Sequence, residues 1–175
     1  MAPTLRLDLK SNGFTFIEIT VVIVLIGLTL LFAVPRFRST ILTDDLKKTA
    51  RRMVRDIKEA KNDAVREHRV HNLHLDLDSN RFWTESTDMT GEQQREAEER
   101  AYELPEGTSI LDVWRPSTDK VTGGETVIRF TKKGYVEQSA IHLGADDGRQ
   151  FTLVLSPFLA RVNVLEKYVE FGENS

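Results

Sequence analysis

No cysteine occurs anywhere in the 175 residues, so the chain has no disulfide framework, no thiolate metal site and no cysteine nucleophile. Histidine is scarce too, at positions 68, 71, 74 and 142. His68, His71 and His74 recur every third residue, which suggests a metal cluster. They straddle an expected change from helix to strand, however, and His71 and His74 would face opposite sides of a strand. Helical H-E-x-x-H, G-x-S-x-G and Walker-type loops are all missing. Asp44-Asp45 and Asp146-Asp147 read as helix-start and turn residues rather than as catalytic pairs. Near the C-terminus, Glu166, Glu170 and Glu173 are scattered among Lys167, Tyr168 and Phe171, with no cluster of oxygen ligands for calcium. No catalytic residue, metal or cofactor is expected.

An excess of positive charge is also missing. The net charge is −3, and it is polarised along the chain. Arg36 to Arg69 hold eleven Lys and Arg against six Asp and Glu; Val70 onward holds eleven against nineteen. A basic stem with an acidic head is a poor design for contacting phosphates with the head, so no nucleic-acid partner is expected.

Long apolar runs are absent with one exception. The hydrophobic fraction is 40% and the mean hydropathy −0.32, yet residues 14–34 form 21 positions with a single charge, Glu18. As a helix this run would reach about 31 Å, the thickness of a bilayer's hydrocarbon core. A buried helix of a soluble domain is one alternative. A cleaved secretory signal is another, but its apolar region is normally about 7–15 residues and needs small residues after it. Phe32-Ala33-Val34-Pro35 does not supply them.

The junction Lys10-Ser-Asn-Gly13-Phe14-Thr-Phe-Ile-Glu18 decides between them. A short basic leader ends in glycine, phenylalanine opens the apolar run, and a glutamate follows four residues later. This resembles the cleavage and methylation signal of type IV prepilins and type II secretion pseudopilins. The resemblance implies that a prepilin peptidase and methyltransferase cuts between Gly13 and Phe14 and methylates the new amine of Phe14. It makes Glu18 the glutamate of assembly and processing, which meets the N-terminal amine of a neighbouring subunit. Pro35, 22 residues into the mature chain, would be the helix-kinking proline. Independently, an ionised carboxylate in hydrocarbon costs at least about 2.5–3.5 kcal/mol, so Glu18 marks either a partner or a side chain snorkelling to the interface.

Local charge and resemblance disagree on orientation. The leader has Arg6 and Lys10 around Asp8, while Arg36, Arg38, Lys47, Lys48, Arg51, Arg52 and Arg55 follow the run. Counting flanking positive charge would put the head on the cytoplasmic side. The resemblance implies the bacterial inner membrane crossed once, with the N-terminus cytoplasmic and the head periplasmic.

Beyond Pro35, Leu42, Leu46, Thr49 with Ala50, Met53, Ile57, Ala60 and Ala64 recur at spacings of three and four. This predicts one long helix from about Phe14 to His68, its second half packed on a sheet or, alternatively, on a coiled-coil partner. From Val70 the period changes to two. Leu73, Leu75 and Leu77 alternate with polar residues, Ser79-Asn80 reads as a turn, and 81–84 as the returning strand. Residues 88–103 read as an exposed loop or short helix. Further strands are expected at 109–114, 126–130, 135–143, 150–155 and 160–165.

The expected fold is α+β and pilin-like. A cleaved leader (1–13), a transmembrane assembly helix (14–35) and an amphipathic stem (36–69) precede a β-rich head (70–175) with one antiparallel sheet. Ile128-Arg-Phe-Thr-Lys-Lys-Gly134, Ile141-His-Leu143, Asp146-Asp-Gly148 and Phe151-Thr-Leu-Val-Leu-Ser156 before Arg161-Val-Asn-Val164 resemble the head of the H-type minor pseudopilin and its FimT-like relatives. Phe158-Leu-Ala-Arg161 lacks the glycine usual there.

The resemblance implies a non-enzymatic minor pseudopilin of type II secretion. Its partners would be other pseudopilins or pilins in a hetero-polymer that exports folded proteins. The alternatives are a FimT-like minor pilin serving adhesion or DNA uptake, and a membrane-anchored periplasmic enzyme or binding domain.

Overall fold

The computed structural model describes residues 15–157 and 161–172, with the side chains of 30–44 and of 119 left out. The chain forms two compact units, Met1–Arg38 and Ser39–Ser175, described here separately. Helix α1 (Phe16–Arg66) belongs to both.

In the second unit the part of α1 beyond Asp45 supplies the stripe that its spacing predicts. Leu46, Thr49, Ala50, Met53, Ile57, Ala60 and Ala64 are all buried, while Lys48, Arg51, Arg52, Arg55, Lys58 and Arg66 stay exposed. Leu42 lies outside the described side chains. Burying Leu46, Met53 and Ile57 contributes about 1.5–3 kcal/mol each. The helix stops where His68 adopts a left-handed φ of 54°, with Arg69 N–H donating to the Ala64 carbonyl.

The head holds β1 (His71–Asp76), β2 (Arg81–Ser86), α2 (Gly91–Glu99), β3 (Tyr102–Glu103), β4 (Thr108–Arg115), β5 (Asp119–Val121), β6 (Glu125–Phe130), β7 (Ser139–Ala145), β8 (Gln150–Leu155) and β9 (Val162–Leu165). The expectation of one sheet is corrected. There are two antiparallel sheets, ordered β3-β2-β1-β6 and β5-β4-β7-β8-β9. Their inner faces, including Leu73, Leu75, Phe82, Ile128, Ile110, Val113, Ile141, Leu143, Leu153 and Leu155, join the α1 stripe in one core.

The switch between sheets lies at 131–138, where a strand was expected from residue 135. After β6 the chain makes a single bridge, Phe130 with Val136, and then crosses to pair β7 with β4 and β8. Gly134 turns it at φ 78°, and a Cβ there would lie 2.9 Å from the Val65 side chain of α1. Arg115 ties the two sheets together: its guanidinium donates to the Val127 carbonyl and to Thr126 Oγ1, both at 2.8 Å.

A β-bulge in β4 sets which residues face out. Ile110 pairs with Leu143 and Asp112 with His142, leaving Leu111 as the extra residue. Ile110 and Val113 therefore face the core, while Asp112 and Trp114 face the other side of the second sheet. Leu111 lies against Gly144, where a Cβ would be 2.8 Å from Leu111 Cδ2.

The C-terminal residues 166–172 have no regular secondary structure and fold back over that outer face. On β8, the Thr152 hydroxyl donates to the Lys167 carbonyl at 2.7 Å and accepts from Val169 N–H at 3.0 Å. Phe171 stacks on Trp114 of β4 at 5.2 Å. This strap explains why β7 is buried on both faces from Ser139 to Gly144.

Candidate functional site: the N-terminal segment

Gly13 and Phe14, the expected cleavage and methylation positions, lie outside the described residues. Description begins at Thr15, which caps α1. Thr15 Oγ1 accepts from Glu18 N–H at 3.3 Å, and Glu18 Oε2 accepts from Thr15 N–H at 3.5 Å. This reciprocal pair is a capping box, and its sequence signal, Thr-x-x-Glu before an apolar run, is legible at Thr15-Phe-Ile-Glu18. It gives Glu18 a role within its own helix that the sequence reading missed. It also folds the carboxylate back over the helix N-terminus, where the helix dipole favours negative charge.

From Phe16 onward the helix presents apolar side chains in every direction. Phe16 is 90% exposed, and Ile17, Ile19, Val21, Val22, Ile23, Val24, Leu25, Ile26 and Leu28 are all exposed. The consecutive positions 21–26 cover more than a full turn, so no face of this stretch is a core face. The polar side chains within it are turned inward to the helix backbone. Thr20 Oγ1 donates to the Phe16 carbonyl at 2.9 Å and Thr29 Oγ1 to the Leu25 carbonyl at 2.7 Å. A helix that satisfies its hydroxyls internally suits surroundings that offer no hydrogen bonds.

Among the described residues no helix is long and apolar enough to cross a membrane. The 14–34 run lies only partly within the described side chains, which break off after Thr29. Pro35 lies in α1, and its side chain is also outside them.

The histidines are dispersed among carboxylates. His71 Nε2 meets Glu67 at 3.2 Å. His74, on the outer face of β1, lies between Glu125 at 2.5 Å and Glu85 at 3.1 Å and stacks on Trp83. Among the described residues no group of three or more His, Asp or Glu side chains is arranged to hold a metal ion. His142 is buried against Asp112 at 2.6 Å, a pair invisible in the sequence because 30 residues and a bulge separate its members.

No family model and no characterised relative matches the sequence. Among solved structures the chain is similar to the minor pseudopilin EpsH from the Type 2 Secretion System of Vibrio cholerae. One structure of it is 12% identical over 70% of this chain and 97% of that one, with a TM-score of 0.49. A second is 12% identical over 73% and 98%, with a TM-score of 0.48.

Proposed function

We propose that the chain is a minor pseudopilin-type subunit, whose work is to polymerise from a membrane rather than to catalyse. In this reading it crosses the inner membrane once, with the head in the periplasm. Cleavage between Gly13 and Phe14 frees an amine, the amine is methylated, and residues 14–35 pass from lipid into the core of a filament that moves folded proteins outward. Motive energy comes from elsewhere, since the sequence has no nucleotide-binding loop.

The observation that carries the proposal is the Gly13-Phe14-Thr-Phe-Ile-Glu18 junction opening directly onto a helix that is apolar on all sides. Bare apolar surface of that extent demands lipid or neighbouring helices. The capping box strengthens the reading. It holds the Glu18 carboxylate at the end of the helix where the new amine arises, one residue before Thr15. Docking with a second subunit offsets the cost of a charge in an apolar core.

Mass spectrometry of the chain recovered from a membrane carrying a prepilin peptidase tests this. The expected first residue is N-methylphenylalanine at position 14. A chain that still starts at Met1, or that lacks the methyl group, overturns the proposal.

A further inference from the structure

His142 is 1% exposed, and both of its ring nitrogens face acceptors. Nδ1 lies 2.6 Å from Asp112 Oδ1, and Nε2 lies 2.9 Å from the Val169 carbonyl of the strap. A neutral imidazole has one N–H, so one nitrogen would turn its lone pair toward an oxygen in a buried site. Only the imidazolium donates to both. Asp112 is the counter-charge. Burial pushes its carboxyl up, but the hydrogen bond and charge of His142, the Tyr168 hydroxyl and Lys120 outweigh this and hold it below its ordinary value.

The other groups around the ring reinforce the arrangement. Tyr168 of the strap stacks on His142 at 4.1 Å and donates its hydroxyl to Asp112 Oδ2 at 3.1 Å. Lys120 of β5 lies 3.7 Å from Asp112 Oδ2 and over the Tyr168 ring, with Glu170 of the strap also acting on it. Thr152 of β8 and Phe171 of the strap complete the surroundings. Tyr168, Val169 and Glu170 of the strap all act on this cluster, while Glu166 at the strap's start pairs separately with Lys47 of α1 at 3.9 Å.

We propose that the strap is a proton-operated clasp, in which residues 166–172 stay docked on the second sheet while His142 holds a proton on each ring nitrogen. Loss of one proton to solvent leaves Nε2 or Nδ1 without a hydrogen to give. If Nε2 loses it, the Val169 carbonyl faces a lone pair and the strap lifts, uncovering Trp114 and Thr152. If Nδ1 loses it, Asp112 faces the lone pair and the same cluster opens. Each opening event releases one proton, so docking weakens as pH rises and the ring gives up its second proton.

The test uses the full chain in detergent with nitrogen-15 histidine. The ring signals of His142, assigned by their loss in His142→Phe, are followed with pH alongside hydrogen exchange at the Val169 amide. Both nitrogens are expected to be protonated while that amide is protected. Loss of the second proton should coincide with a rise of roughly tenfold or more in exchange beyond ordinary base catalysis. His142→Phe keeps the stack on Tyr168 but has no N–H, and its strap is expected to exchange fast at every pH. Should this variant not fold, the wild-type titrations decide alone: the other three histidines are told apart by substituting His68, His71 and His74 in turn. A neutral ring beneath a protected strap overturns the proposal, as does protection that ignores the titration.

Discussion

Asp112 and His142 sit opposite each other on β4 and β7, 2.6 Å apart, because Leu111 is the extra residue of a bulge. Without it, strict alternation would put Asp112 on the same face as Ile110, inside an apolar core. The bulge turns an untenable carboxylate in an apolar core into one met by His142, Tyr168 and Lys120 on the opposite face.

That placement predicts a particular acid sensitivity. The folded-state value of Asp112 is held below that of the unfolded chain, about 3.9 for an ordinary aspartate. Its contribution is therefore present above that value and lost as pH falls through the depressed one. Urea unfolding followed by tryptophan fluorescence should show stability declining on the acid side, and Asp112→Asn should flatten that decline. An unchanged acid limb in the variant would refute the assignment.

The bulge also predicts a coupled pair. A methyl at Gly144 would lie 2.8–3.0 Å from Leu111 Cδ2, Cδ1 and Cγ. Gly144→Ala is expected to cost about 1–3 kcal/mol by overpacking. With Leu111→Ala the cost of Gly144→Ala should largely vanish, so a double-mutant cycle should give strongly non-additive free energies. Additive losses would show that Leu111 is not the obstacle.

The buried stripe of α1 is open to a simple check. Met53 is fully buried in the shared core of helix and sheets. Met53→Ala is expected to destabilise the head by about 2–5 kcal/mol, read as a lower urea midpoint. Arg55→Ala on the exposed face should stay within about 0.5 kcal/mol of the parent.

Glu18 can be dissected because its capping role and its proposed assembly role ask for different chemistry. Glutamine serves a capping box as well as glutamate but cannot neutralise an amine. Glu18→Gln should keep the helix start and lose roughly tenfold or more in cross-linked subunit pairs in membranes. Glu18→Ala should lose the same assembly and, in addition, about 0.3–1.5 kcal/mol of helix stability. Full assembly by the glutamine variant would leave the carboxylate with only its capping role.

Much of this architecture was legible because it is periodic. The stripe from Leu46 to Ala64 repeats with the helix, and Leu73, Leu75 and Leu77 repeat with a strand, so burial follows from spacing alone. The parts that escaped have no period. The bulge at Leu111 breaks alternation, and the strap at 166–172 has no regular hydrogen-bonding pattern. The passage between sheets at 131–138 looks locally like a hairpin turn followed by a strand. The short strands β3 and β5 add too few residues for any alternation to register. At the N-terminus, Thr15 was hidden in plain view, overshadowed by the glycine and phenylalanine before it.

Arg115 has one more effect. By occupying the Val127 carbonyl, while Val136 bridges to Phe130, it closes the open flank of β6 at two points. A strand from another molecule could not be added there without first displacing both. Growth of any polymer by annealing backbones along that flank is thereby discouraged. Along that flank, a contact with another molecule has to be made by side chains, where single substitutions can retune it.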